Sequence, residues 1–184
     1  LAHTTWFFEC FVLRRFAPGY TVVDPAYHYL YNSYYETYGA RHPRPQRGLV
    51  SRPGIEAIRA YRAAVEAAVL ALIADAPAGD APALLDLVEL GCHHEQQHQE
   101  LLLTDIKHVL WQSIVGPAYV ERPGGAGAGS PAPPLGWEGF AGGVIEIGHD
   151  GRGFAFDNEG PRHRCIVEDF RLGTRLVTNA ELLA

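Results

Sequence analysis

From Pro82 to Trp111 the chain holds no further proline and repeats apolar residues at helical spacing, which commits the stretch to one long helix. With a rotation of about 100° per residue, Leu87, Leu90, His94, His98, Leu101, Asp105 and Val109 fall on one side. An inward stripe of that length needs partner helices to cover it, and it sets two imidazoles among the buried positions.

Three partners precede it. Leu1 to Phe16 places His3, Trp6, Phe7 and Cys10 at i, i+3, i+4 and i+7, and Ala17-Pro18-Gly19 stops the helix. Tyr27 to Tyr38 reads as a tyrosine-rich second helix closed by Gly39. The basic segment from Arg41 to Gly48 is kept extended by Pro43 and Pro45. From Pro53, which suits a first helical turn, the chain is dense in Ala, Leu, Ile, Glu and Arg as far as Ala76. Four helices with short connections predict an antiparallel bundle over residues 1–114, a fold in which facing helices build metal sites from inward side chains.

Residues 115–141 are rich in Pro and Gly and read as an extended linker. Beyond them, 142–148 and 164–170 read as short strands separated by Gly, Asp and Asn turns, the beginning of a second domain over 142–184. The chain starts without methionine, its first helix has no cap, and 177–184 reads as an element just beginning, so both ends read as cut.

Charge narrows the partners. A formal net charge of -6, with both signs mixed along the chain, offers no basic stripe for a phosphate backbone, and nucleic acid is not an expected partner. No apolar run approaches the roughly 18 residues needed to cross a bilayer, and there is no signal-type segment, so a cytoplasmic protein without a membrane partner is the expectation. Cys10, Cys92 and Cys165 are odd in number and far apart, which points to reduced thiols rather than a disulfide framework or a thiolate zinc site.

The chemistry concentrates in residues 91–100, Gly-Cys-His-His-Glu-Gln-Gln-His-Gln-Glu. His94 and His98, at i and i+4, project from one helix face about one turn apart and can chelate a single ion. His3, on the inner stripe of the first helix, is either a core residue or a third ligand. Neutral imidazole suits Zn, Cu, Fe and Ni, so spacing alone leaves the metal open. The string also contains HExxH, in which Glu95 would serve as general base of a zinc hydrolase. The longer version of that signature fails, because Leu101 stands at its glycine position and Thr104 at its third histidine position. A third reading is a noncatalytic bundle that binds a metal or a thiol. Asp105, on the same stripe, can orient a ligand histidine or pair with a neighbouring helix.

Residues 1–9, Leu-Ala-His-Thr-Thr-Trp-Phe-Phe-Glu, and 93–106, His-His-Glu-Gln-Gln-His-Gln-Glu-Leu-Leu-Leu-Thr-Asp-Ile, closely resemble the sulfoxide synthases of ergothioneine biosynthesis (EgtB-type). The resemblance continues through Gly-Gly-Val-Ile-Glu-Ile-Gly-His-Asp, Phe-Ala-Phe-Asp-Asn-Glu-Gly-Pro-Arg-His and Val-Thr-Asn-Ala-Glu in residues 142–181. It implies a mainly α chain: a DinB-like four-helix bundle followed by the start of an α+β, C-type-lectin-like domain of the formylglycine-generating (sulfatase-modifying-factor) kind.

It also implies an activity. Family members use Fe(II), held by three histidines that match His3, His94 and His98 here, and leave coordination room for dioxygen and a thiol. The implied reaction joins the sulfur of cysteine or γ-glutamylcysteine to the imidazole C2 of hercynine, the trimethyl betaine of histidine, as a sulfoxide. Gln97 matches the family's contact to the hercynine imidazole. Arg44 and Arg47 resemble the arginine pair that holds the thiol substrate's carboxylates, a task suited to planar bidentate donors. The family's catalytic tyrosine falls beyond Ala184, so the chain by itself is expected to be inactive. Cys10 departs from the family, which has a small polar residue there.

Overall fold

Aromatic density at the N-terminus decides where the core forms. The computed structural model describes residues 1–183 except 34, 36, 37, 41 and 122–130, and the chain divides into two compact units, Leu1–Pro117 and Ala118–Ala184. The first helix runs as α1 (Ala2–Phe7), a π-helical stretch (Phe8–Leu13) and a last turn, α2 (Arg14–Phe16). Thr4, Thr5, Trp6, Phe7, Glu9, Cys10, Val12 and Leu13 are all buried, so this segment is enclosed rather than amphipathic. The wider π turn re-aims the side chains after Phe7, a distortion that recurs at functional sites.

The second helix is shorter than the spacing predicts. Asp24 caps α3 (Pro25–Leu30) by accepting from the Ala26 N–H, with Pro25 in the first turn, and the helix ends at Leu30, with Tyr31 as its C-cap, rather than at Tyr38. The reason is Asn32, whose carboxamide bonds to the backbone of Tyr35 and Gly39 and so competes with the helical ladder. Arg44–Leu49 forms a 3₁₀ turn where an extended segment was expected. Two long helices follow, α4 (Ile55–Ala74) and α5 (Ala81–Gln112). Unit 1 is thus a helical bundle of three long members and one short one.

Two apolar clusters hold it. Val12 and Leu13 pack with Tyr61, Val65 and Val69 of α4 and Leu84 of α5, while Trp6, Phe7 and Cys10 pack with Phe11, Tyr35, Tyr38 and Leu90. Gly91 permits the closest approach of α5 to the first helix: a Cβ there would stand 2.6 Å from the Phe8 ring and 3.1 Å from that of Phe7. Glu9 is buried at the centre, where Oε1 accepts from Tyr20 Oη and the Val23 N–H and Oε2 accepts from Tyr61 Oη at 2.7 Å. These donors replace the water that a buried carboxylate would otherwise require.

The expected inward stripe of α5 stops at His98. Leu101 is 47% exposed, Val109 is 59% exposed and Asp105 is exposed as well. Because α5 has 32 residues and α4 has 20, about 18 Å of α5 outlasts this neighbour.

Unit 2 contains β1 (Trp137–Phe140), β2 (Gly143–Ile147), β3 (His163–Val167), β4 (Phe170–Gly173) and the one-turn α6 (Asn179–Leu182). β1 pairs antiparallel with β4, Trp137 opposite Gly173, and β2 pairs antiparallel with β3, Val144 opposite Ile166. Trp137–Phe140 therefore belongs to a strand, although its surroundings read as linker; part of the Pro/Gly-rich run, 122–130, lies outside the described residues. Thr178 and Glu181 form a capping box on α6, and Arg175 clamps the same carboxylate. No helix among the described residues is long and apolar enough to cross a membrane.

Candidate metal centre

His3 comes from the first turn of the chain's first helix and His94 and His98 from the middle of α5, where the Gly91 contact draws the two helices together. The three imidazoles each offer one ligand nitrogen, and these nitrogens lie within 4.8 Å of one another. His94 Nε2 is 3.1 Å from His98 Nε2. Ring centroids are separated by 5.0 Å for His3 and His94, 4.9 Å for His3 and His98 and 4.6 Å for His94 and His98. The rings meet at 65° to 88°, edges turned towards a common point rather than stacked.

That arrangement fits a metal ion. Metal–imidazole bonds of about 2.1 Å put neighbouring ligand nitrogens roughly 3 Å apart, the separation already present between His94 and His98. His3 Nδ1 lies 2.8 Å from the Tyr31 carbonyl oxygen. A carbonyl only accepts, so Nδ1 carries the proton and Nε2 is left with its lone pair free, as a ligand requires. The indole of Trp6 stacks on His3 at 5.8 Å and the Phe7 ring lies 5.0 Å from His94, so aromatic surface backs two of the ligands.

Electrostatics keeps the imidazoles neutral. Burial, then the facing His3 and His98, lowers His94 to about 4. Burial likewise lowers His98, and it lowers His3 despite the Tyr31 carbonyl; the charge of Arg47 adds to the effect on His3. Three neutral donors are the form in which histidines bind metal.

The other expected residues divide. Arg47 is half-buried, donates from Nη2 to the Ser33 carbonyl at 3.0 Å and exerts its charge on His3. Gln97 is exposed on α5, one residue from His98. Arg44 opens the 3₁₀ turn, and its side chain lies outside the described residues. Asp105 makes no hydrogen bond to a ligand histidine among the described residues; the acceptor that orients a ligand is the Tyr31 carbonyl instead.

Glu95 is engaged elsewhere. It takes the Arg62 guanidinium at 3.0 Å, and although burial pushes its carboxyl up, Thr4 and Arg62 together hold it below the usual carboxylate range. A carboxylate locked to an arginine on α4 is poorly suited to take a proton from a bound water. Cys10 is also quiet: burial pushes its thiol up to about 12, and its S–H points at His28 Nδ1, 3.6 Å away.

Fold and site together define a helical-bundle domain that carries a three-imidazole cluster between its first and last helices. The family is shown directly: the DinB superfamily model matches residues 1–102, more than half of the 184-residue chain, and the chain belongs to that superfamily. No curated protein matches it.

Proposed function

We propose that this chain carries the Fe(II) centre of an oxygen-dependent sulfoxide synthase that joins the sulfur of cysteine or γ-glutamylcysteine to C2 of hercynine. The observation that carries the reading is a convergent set of three imidazole nitrogens with no carboxylate in the set. It is supported by the long motifs around His3 and His94 that resemble the ergothioneine-biosynthesis synthases. The reaction balances as thiol plus hercynine plus dioxygen giving sulfoxide plus water. The S–H and the C2–H bonds are lost, the S–C bond forms, one oxygen atom goes to sulfur and the other leaves as water.

When bound, the iron would supply the redox centre at which dioxygen is reduced. The chain's own residues do the rest: His3, His94 and His98 would hold the ion, and the Tyr31 carbonyl sets the tautomer of His3. Among the described residues Arg47 has one N–H on Ser33, and the other donors of its guanidinium would take a substrate carboxylate. Arg44 would share that task, and Gln97 would offer its amide to the hercynine imidazole. Trp6 and Phe7 exclude water behind the ligands.

A zinc hydrolase would need Glu95 as a free base, and its ion pair with Arg62 weighs against that. The test is to supply the complete gene product with Fe(II), dioxygen, hercynine and either thiol, and to follow product by mass spectrometry. A sulfoxide joined through sulfur at the imidazole C2 is expected, with oxygen consumption that requires both organic substrates. Peptidase activity with zinc, or metal binding without any sulfur–carbon product from either thiol, would overturn the reading in favour of a hydrolase or a noncatalytic bundle.

A further inference from the structure

Tyr31, Asn32 and Ser33 are consecutive, and their polar groups serve three different ends. The Tyr31 carbonyl accepts from His3 Nδ1 at 2.8 Å, and the Ser33 carbonyl accepts from Arg47 Nη2 at 3.0 Å. Between them Asn32, 1% exposed, turns its carboxamide the other way. Its Oδ1 accepts from the Tyr35 N–H at 3.0 Å, and its Nδ2 donates to the Tyr35 carbonyl at 2.9 Å and to the Gly39 carbonyl at 3.4 Å. One buried side chain therefore fixes the backbone whose two neighbouring carbonyls reach a ligand histidine and an arginine beside the site.

We propose that Asn32 is the positioning residue of the metal centre: by pinning the backbone at 31–33 it holds the Tyr31 carbonyl on His3 and the Ser33 carbonyl on Arg47. The inference rests on the three-histidine reading of the site and deepens it. Position and chemistry both demand this side chain. A peptide carbonyl orients a ring only if its own peptide plane is held, and Tyr31 is the C-cap of a six-residue helix, tied there by its N–H to the Tyr27 carbonyl at 3.0 Å. Past Tyr31 the helical ladder gives no support, and the Asn32 amide supplies it. An apolar residue would leave the half-buried Tyr35 N–H and C=O without this partner and would remove the tie to the Gly39 carbonyl. A residue that only stabilised the fold would affect the apo protein and the metal-bound protein alike, whereas a positioning residue changes the ligand itself.

The test uses Asn32→Ala and Asn32→Ser, the second because a hydroxyl keeps a turn bond to the Tyr35 N–H while dropping both amide donors. Fe(II) affinity is measured anaerobically by competition with a chromogenic chelator. The tautomer of His3 in the apo protein is read from imidazole ¹⁵N shifts, with thermal unfolding run in parallel. Wild type should show the Nδ1–H form of His3. Loss of an orienting partner of a ligand histidine typically weakens metal binding by about 10–100-fold. Asn32→Ala should fall in that range with a mixed His3 tautomer, and Asn32→Ser should lie between it and wild type. If Asn32→Ala does not fold, Asn32→Ser decides alone. Folded variants with an unchanged His3 tautomer and Fe(II) affinity within about twofold of wild type would overturn the proposal, whatever their melting temperatures. Were wild type to bind no metal, the metal reading would fail while the tautomer measurement still judged the role of Asn32.

Discussion

His94 Nε2 and His98 Nε2 stand 3.1 Å apart on one face of α5, close enough that they share either a proton or a metal ion. Two imidazoles brought to this distance with neither charged are a site waiting for an electrophile, and burial supplies the neutrality. Replacing His94 or His98 by alanine leaves two donors for a borderline ion, which weakens Fe(II) binding by more than about a hundredfold, ~3 kcal/mol. One equivalent of iron per wild-type chain after anaerobic loading, and none retained by either variant after desalting, is the expected result. Unchanged iron in both variants would remove the site.

The same neutrality sets a pH dependence. Burial holds His94 at about 4, against an ordinary 6.5. Between those values the unfolded chain takes up a proton that the folded site refuses, so acid favours unfolding in that window. Stability of the apo protein is therefore fully present above about 6.5, falls as the pH drops towards 4 and stops changing from this source below it. Melting temperatures recorded across that range on wild type and on His94→Ala should show the acid loss reduced in the variant. Identical acid profiles would mean that His94 titrates as an ordinary imidazole.

How much of this was legible beforehand depends on the range of the interaction. The His94/His98 pair follows from helix geometry alone, because i and i+4 share a face in any helix, and the long run after Pro82 guaranteed one. His3 required knowing which helix faces α5, which spacing could only leave open. Periodicity overreached twice. It carried the inward stripe to Leu101, Asp105 and Val109, since an apolar face is visible in the sequence but the length of the neighbour that covers it is not. It also carried the second helix to Tyr38, since Asn32 looks like one polar residue among tyrosines until its three backbone partners are known. The Arg62–Glu95 pair spans 33 residues of sequence and had no local signal, yet it bears directly on the hydrolase reading. A backbone carbonyl such as that of Tyr31 leaves no signature at all.

Gly91 is the point at which α5 is allowed to come close. Alanine there would place a Cβ 2.6 Å from the Phe8 ring, an overpacking that costs about 1–3 kcal/mol, against which better helix propensity returns no more than about 1 kcal/mol. Gly91→Ala should lower the melting temperature by several degrees and, by moving α5 away from the first helix, weaken metal binding as well. A variant as stable as wild type with unaltered metal affinity would show that Phe8 swings aside freely.

Cys10 and Cys92 should part company under alkylation. Cys92 is exposed, whereas Cys10 is buried, with its thiol pushed up to about 12 by that burial. Only the thiolate attacks iodoacetamide at a useful rate, so at pH 8 the folded protein should label at Cys92 and not at Cys10, and all three cysteines should label in denaturant. Early labelling of Cys10 in the folded state would reveal an opening of the first helix that the packing around Trp6 and Phe7 argues against.

Glu95 separates the two enzymatic readings in a single substitution. Its carboxylate is occupied by Arg62 and Thr4, so its work is to fasten α5 to α4 and α1. Both side chains of the ion pair are about a quarter to a third exposed, 25% for Glu95 and 30% for Arg62, which limits the contribution to about 1 kcal/mol. Glu95→Gln keeps an acceptor for Arg62 and removes the charge. In the oxygenase reading it should lower stability by up to that amount, leave Fe(II) affinity within about twofold and leave sulfoxide formation largely intact in the complete gene product. In the hydrolase reading the same change deletes the general base and abolishes activity while sparing the metal. Measuring metal content, melting temperature and both activities on this one variant therefore discriminates between them: sulfoxide synthesis that survives Glu95→Gln fits a clamp, and a hydrolytic activity that disappears with it fits a base.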